Sequence, residues 1–277
     1  MTYLSQTRNV MDIKTILPGI LLFFTTTLLG QNVKQPNIQF ETDYLDAVNH
    51  WVVLPQKEPE PNLLLGYVIL DEIIGFTFIF HGELKIESSG KWTVKNNSTN
   101  YIIKKALNNN TPIVHLLSES EQTMLNLPER PNWLRLFDKQ VRTANELVLL
   151  GYHYNKANRS QFAVPLLEKA LSIEPSARNL IFELSYAYNA VGEYQKVVEL
   201  LKNEIKNENS NYMLYRELGY ALLQLNRYEE ADKLYEVGMR IFENETQRRA
   251  MAIDMAQTFF DLKDEERFEK WAAILRK

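Results

Sequence analysis

The 277-residue chain contains no cysteine. That absence excludes disulfides, cysteine-type zinc sites, iron–sulfur ligation, a cysteine nucleophile and a lipid-modified N-terminal cysteine. It leaves export open, because a domain with a large enough core needs no staples. A basic excess is also lacking: 31 Lys and Arg stand against 35 Asp and Glu, a net charge of −4, with no Lys/Arg block. Residues 1–30 hold Arg8, Lys14 and Asp12, so without them 29 basic and 34 acidic residues leave −5. Nucleic-acid binding is therefore disfavoured, since neutralising phosphates needs a basic face. The chain carries no G-x-S-x-G, H-E-x-x-H, P-loop, G-x-G-x-x-G or EF-hand spacing. Its histidines, His50, His81, His115 and His153, fall on different elements, and acidic pairs such as Asp71-Glu72 or Glu58 with Glu60 fall on turns. Packed or solvated roles are the expectation for all of them, with no catalytic residue, no metal ligand and no cofactor.

Apolar residues make up 45% of the chain and charged residues 24%, a globular composition long enough for about two domains. From Thr15 to Val33 no residue is charged, and "ILPGILLFFTTTLLG" (Ile16 to Gly30) is the most apolar stretch. Lys14 precedes it and polar residues follow, the order of a secretory signal peptide, with cleavage expected near Gly30–Gln31. Met11 offers an alternative start that shortens the signal. The pattern resembles signals of exported Gram-negative proteins, and the Gly-Gln junction is similar to those of the Bacteroidota. A membrane anchor is the alternative, although the strongly apolar part is shorter than the roughly 17–25 residues that spanning requires. The expected location is thus periplasmic or secreted, with membrane contact only through an uncleaved N-terminal segment.

Three phrases recur 34 residues apart: "LGYHY" at Leu150, "LSYAY" at Leu184 and "LGYAL" at Leu218. Extended, they define ungapped repeats 144–177, 178–211 and 212–245, each with two amphipathic halves at helical spacing. The register then slips by three into a divergent, more charged unit at about 249–277. Position 7 of the repeat carries Leu150, Leu184 and Leu218; position 8 carries the small residues Gly151, Ser185 and Gly219; position 20 carries Ala163, Val197 and Ala231. A 34-residue period with two helices resembles the tetratricopeptide repeat (TPR) family, whose hairpins stack because none can bury its apolar face alone. Glu204 departs from the small residue that family prefers, which predicts looser packing of that helix. Pro165 falls early in a second helix, where only the first turn tolerates it well. Residues 132–143, with Trp133, Leu136, Phe137 and Val141 at helical spacing, are expected to form a helix that caps the first repeat.

The TPR resemblance implies a non-enzymatic protein that docks a protein or peptide in a groove lined by the first helix of each repeat. Transferred position by position, it points to Tyr152, Tyr186 and Tyr220 as anchors, Asn155 and Asn189 as polar clamps, and Asn145, Asn179, Phe182 and Arg216 as further lining. Tyrosine suits such a surface because it offers large apolar area with a polar tip. Carboxylate-binding members use basic residues at two of these positions; only Arg216 fits, so that activity is disfavoured. A structural or self-oligomerising module is the alternative, and an enzyme with an unrecognised N-terminal domain a weaker one.

Residues 31–131 resemble no family. A helical start at "TDYLDAVNHWVVL" (Thr42 to Leu54), a proline-rich turn at 55–61, and strands at Leu63–Leu70, Gly75–Phe80, Glu83–Glu87 and Lys91–Lys95 are expected. Ser88-Ser89-Gly90 reads as a hairpin turn, and Ser118 as the cap of a helix reaching Leu127. Asn96 and Asn97 form sequons that matter only in a glycosylating host. The expected fold is multidomain: a signal segment (1–30), a small α+β domain of antiparallel sheet plus helices (31–131), a capping or linker helix (132–143) and an all-α TPR solenoid (144–277).

Overall fold

The computed structural model describes residues 38–55, 63–96, 101–108, 110–111, 113–137, 142–205 and 211–276. The candidate signal segment, most of the proline-rich turn, Val141 and Asn97 lie outside the described residues. None of the described helices is long and apolar enough to cross a membrane.

The first half is an antiparallel sheet of six strands: β1 (Trp51–Pro55), β2 (Leu63–Asp71), β3 (Gly75–Ile86), β4 (Trp92–Asn96), β5 (Lys104–Ala106) and β6 (His115–Leu116). The spatial order is β4-β3-β2-β1-β6, with β5 pairing β3 beside β4. Both faces are covered. Trp51, Val53, Tyr67 and Ile79 pack into one core, while Val52, Leu54, Val68 and Phe78 pack into another. Burial on both sides explains why "WVVL" and "LLLGYVIL" read as continuous apolar runs.

The two strands expected at 75–80 and 83–87 are one strand. Leu65 pairs Gly82 while Gly66 pairs Phe80, so His81 is the extra residue of a bulge. The bulge reverses the side-chain parity, and Leu84 joins Ile79 on the same face. The turn at 88–90 forms as expected, with Gly90 at φ +80 donating its N–H to the Glu87 carbonyl at 2.8 Å. Residues 42–54 are only briefly helical: a 3-10 turn at Tyr44–Ala47 precedes β1. Helix α1 (Glu119–Met124) starts at Ser118 with a full capping box to Glu121 but is shorter than expected.

Four helical hairpins follow: α2 (Ala144–Lys156) with α3 (Ser160–Ile173), α4 (Leu180–Ala190) with α5 (Tyr194–Glu204), α6 (Tyr212–Gln224) with α7 (Tyr228–Ile241), and α8 (Glu245–Asp261) with α9 (Glu265–Leu275). One apolar core runs through all four. The small residue at position 8 is where the helices of a hairpin touch: a Cβ on Gly219 would lie 2.2 Å from the Tyr235 ring. Each hairpin turns through one left-handed residue: Asn158 (φ 55), Gly192 (φ 81), Asn226 (φ 58) and Lys263 (φ 58). Their spacings of 34, 34 and 37 place the three-residue slip inside α8, which has 17 residues against 13 in α6. Helix α5 stops at Glu204, 11 residues long against 14 in α3 and α7, where Ala170 and Gly238 are buried. Pro165 lies in the second turn of α3, beyond the tolerant first turn. The helix continues because Pro165 and Gln161, whose carbonyl loses its partner, both face solvent.

Pro36–Lys277 forms one compact unit, so the sheet and the helices share an interface. The helix expected from Asn132 to Val141 is, over its described part, a 3-10 turn (Asn132–Leu136) followed by Phe137. Its aromatic residues serve the sheet and not the first repeat: Trp133 meets Tyr67 edge-on at 6.0 Å, and Leu134 is the buried residue while Leu136 is exposed. The start of the array is instead covered by the β2–β3 turn. Phe76 stacks edge-on with Tyr154 at 5.6 Å, Arg142 donates to Glu72 Oε2 at 3.3 Å, and His153 Nε2–H donates to the Glu72 carbonyl at 3.1 Å.

Candidate functional site

Helix periodicity aligns position 9 of each first helix along one face of the array. Tyr152 and Tyr220 are 39% and 45% exposed there, and Tyr186 is half-buried beside Phe182, with ring centroids 6.5 Å apart. Among the described residues the sheet meets α2 through His153 and Tyr154, on another side of the helix from Tyr152, and leaves this face open. Two hollows lie along the face. One, of ≈ 410 Å³ between α2 and α4, is lined by Asn145, Val148, Leu149, Tyr152, Arg178, Asn179 and Glu183. The other, of ≈ 330 Å³ between α4 and α6, is lined by Tyr186, Asn189, Ala190, Arg216, Glu217 and Tyr220. The structure thus brings seven of the nine expected residues into two adjacent hollows.

Asn155 and Asn189 differ from the expectation of open polar clamps. Asn155 is 3% exposed, and its Nδ2 donates to the Glu183 carbonyl and Oε2, both at 2.9 Å. Asn189 is 6% exposed and donates to the Glu217 carbonyl at 3.0 Å and Oε2 at 2.7 Å. Their donors staple each first helix to the next one. Between α6 and α8 the pair is replaced by Leu223 and the fully buried Met251, at the corresponding positions. Arg216 is also engaged, donating through Nε and Nη2 to the Asp254 carboxylate at 3.0–3.2 Å.

The residues that sequence reasoning missed are Glu183 and Glu217. The readable signal was an Asn–Glu pair 28 residues apart, repeated after 34. Burial raises both carboxyls above the ordinary 4.5, against the lowering effect of the asparagine hydrogen bonds. Burial likewise raises Asp254 in spite of Arg216.

The other histidines have local partners. His115 Nε2 lies 3.2 Å from Glu121 Oε1, His81 packs on Trp51 at 5.1 Å between ring centroids, and His50 Nδ1 lies 2.9 Å from the Val48 carbonyl. Among the described residues no three His, Asp or Glu side chains are grouped to hold a metal.

No protein-family model and no curated protein matches the chain. Among solved structures it is similar to MamA (MSR-1), at 21% identity over 51% of this chain and 82% of that one, with a TM-score of 0.41. It is similar also to MamA (AMB-1), at 21% identity over 57% and 85%, with a TM-score of 0.41. A likeness this loose bears on neither fold nor function.

Proposed function

We propose that the chain is a non-enzymatic binding protein whose helical array docks an extended segment of a protein partner along the first-helix face. The observation that carries this reading is a line of tyrosines, two of them well exposed, beside two adjoining hollows that the sheet leaves open. Large aromatic side chains at the centre of a docking surface commonly carry most of its affinity. The same reading places the protein outside the cytoplasm, its residues 1–30 removed on export. N-terminal sequencing of the protein from its host tests that location: a chain beginning near Gln31 supports it, and a chain retaining Met1 or Met11 contradicts it.

The test of binding is a crosslinked pull-down from host envelope, comparing the wild type with a Tyr152→Ala, Tyr186→Ala, Tyr220→Ala variant shown by circular dichroism to be folded. A partner captured by the first and lost by the second is the expected outcome. A partner held equally by both would move recognition away from this face.

Self-assembly is the competing reading, and one residue favours it. Phe260 occupies the position of Asn155, Asn189 and Leu223 in the earlier hairpins, where the next first helix gives cover, yet it is 63% exposed. Sedimentation of wild type against Phe260→Ser decides this: a dimer that the substitution abolishes would favour assembly through the last hairpin.

A further inference from the structure

The hollow between α4 and α6 has a distinct chemistry. Tyr186 and Tyr220 both line it, and Tyr194 extends the aromatic wall, its ring centroid 6.0 Å from that of Tyr220. Glu217 lines it as well, held by the Asn189 amide. Arg216 lines the hollow too, but its guanidinium is drawn to Asp254 by three hydrogen bonds of 3.0–3.2 Å, and among the described residues Glu217 forms no salt bridge. Asn189, 94% buried because only 6% is exposed, lines the same hollow, and its Oδ1 has no hydrogen-bond partner among the described residues. Aromatic faces attract cations through the ring quadrupole, and most strongly where a carboxylate adds its charge.

We propose that this hollow is a subsite for a cationic side chain, lysine or arginine, of the segment that docks along the first-helix face. The cation lies against Tyr186 and Tyr220 and pairs with Glu217. Burial of that carboxyl, which raises its pKa, is offset when a cation arrives. In the neighbouring hollow Val148, Leu149 and Tyr152 form an apolar patch among Asn145, Arg178, Asn179 and Glu183, and that patch takes an apolar residue. Adjacent packed helices lie about 8–10 Å apart, and an extended chain advances about 3.3 Å per residue. The apolar and basic residues of the ligand are therefore about three positions apart. The inference rests on the peptide-docking reading above, and its test separates the two.

In one arm, the isotope-labelled full chain is titrated with n-butylguanidinium and with the neutral n-butylurea, following the ring resonances of Tyr186 and Tyr220. The guanidinium is expected to shift them and the urea is not. Glu217→Gln, which keeps an acceptor for Asn189, is expected to weaken the guanidinium about tenfold, the usual scale of a charged hydrogen bond. Asp254→Asn, which releases Arg216 towards Glu217, is expected to weaken it as well. Equal responses to the two probes, or an unchanged Glu217→Gln, would overturn the cation subsite.

In the second arm, fluorescent decapeptides carrying Leu-x-x-Arg are compared with Leu-x-x-Gln. Tighter binding of the arginine peptide, lost in Glu217→Gln, is the expected result. Equal binding of both peptides overturns the subsite and leaves peptide docking standing. A guanidinium bound at the tyrosines with neither peptide bound overturns the peptide reading instead.

Discussion

Replacing Asn155 by leucine exposes what the staples between first helices contribute. Asn155 Nδ2 makes two hydrogen bonds of 2.9 Å to Glu183, and both residues are buried, at 3% and 7% exposed. Asn155→Leu leaves the Glu183 carboxyl buried without its donor, a loss of about 2–3 kcal/mol. Glu183→Met alone removes one of the two acceptors, the backbone carbonyl still receiving the amide, and costs about 0.5–1.5 kcal/mol. The double variant reproduces the apolar Leu223 and Met251 pair that the array already contains, so its cost falls below the sum by at least about 1 kcal/mol.

The pH dependence has a definite sign. Burial already holds the Glu183 pKa above 4.5, so the folded state binds the extra proton between that value and the raised one. Stability from this group is present below 4.5 and is lost as pH rises through the folded pKa. Removing the Asn155 donor, which favours the ionised form, raises the pKa further. Asn155→Leu is therefore expected to cost more at pH 7.5 than at pH 5, while the double variant, which lacks the titrating carboxyl, shows the opposite trend and costs less at pH 7.5 than at pH 5. Urea unfolding followed by far-ultraviolet circular dichroism at both pH values measures this. Additive single costs with no pH dependence would refute the reasoning.

Lys263 holds a left-handed conformation at φ 58 where the equivalent turns use asparagine or glycine, so Lys263→Gly is expected to stabilise the last hairpin by about 1 kcal/mol. An unchanged thermal midpoint would count against it. Gly219→Ala drives a methyl to 2.2 Å from the Tyr235 ring and is expected to cost about 1–3 kcal/mol; Tyr235→Leu in the same chain should recover part of this in urea titrations. Burial lowers the His153 pKa at the sheet–helix junction, so histidine nuclear resonance is expected to place its titration below 6.5. The stability that depends on neutral His153 is present above 6.5 and is lost as pH falls through the depressed value. A titration above 6.5 would show the ring to be solvated.

Much of the helical half is legible in the sequence because a 34-residue period forces the same burial at the same positions. Leu150, Leu184 and Leu218 are each buried, and Gly151 and Gly219 stand where helices touch. Even the three-residue slip is readable, although only the structure shows it absorbed by a longer α8. The sheet is harder to read. Burial on both faces removes the alternation that marks a half-exposed strand, and the His81 bulge splits the apparent pattern of one strand in two. Strands β5 and β6, of three and two residues, are too short to carry a period. Trp133 and Phe137 are spaced as on a helix, but their partners are long-range and belong to the sheet. The site residues are legible as a face and not as roles. Asn155 and Asn189 look like open clamps until the glutamates 28 residues later claim their amides.

Site-specific photo-crosslinking in the native host tests docking on the first-helix face most directly. A benzophenone side chain would replace Tyr220, and in a second strain the exposed Lys233 of α7. The expected result is a discrete adduct from position 220 and none from position 233, with the adduct from 220 weakened in a Tyr152→Ala background. An adduct from position 233 with none from position 220 would contradict the account and place the partner on the second helices.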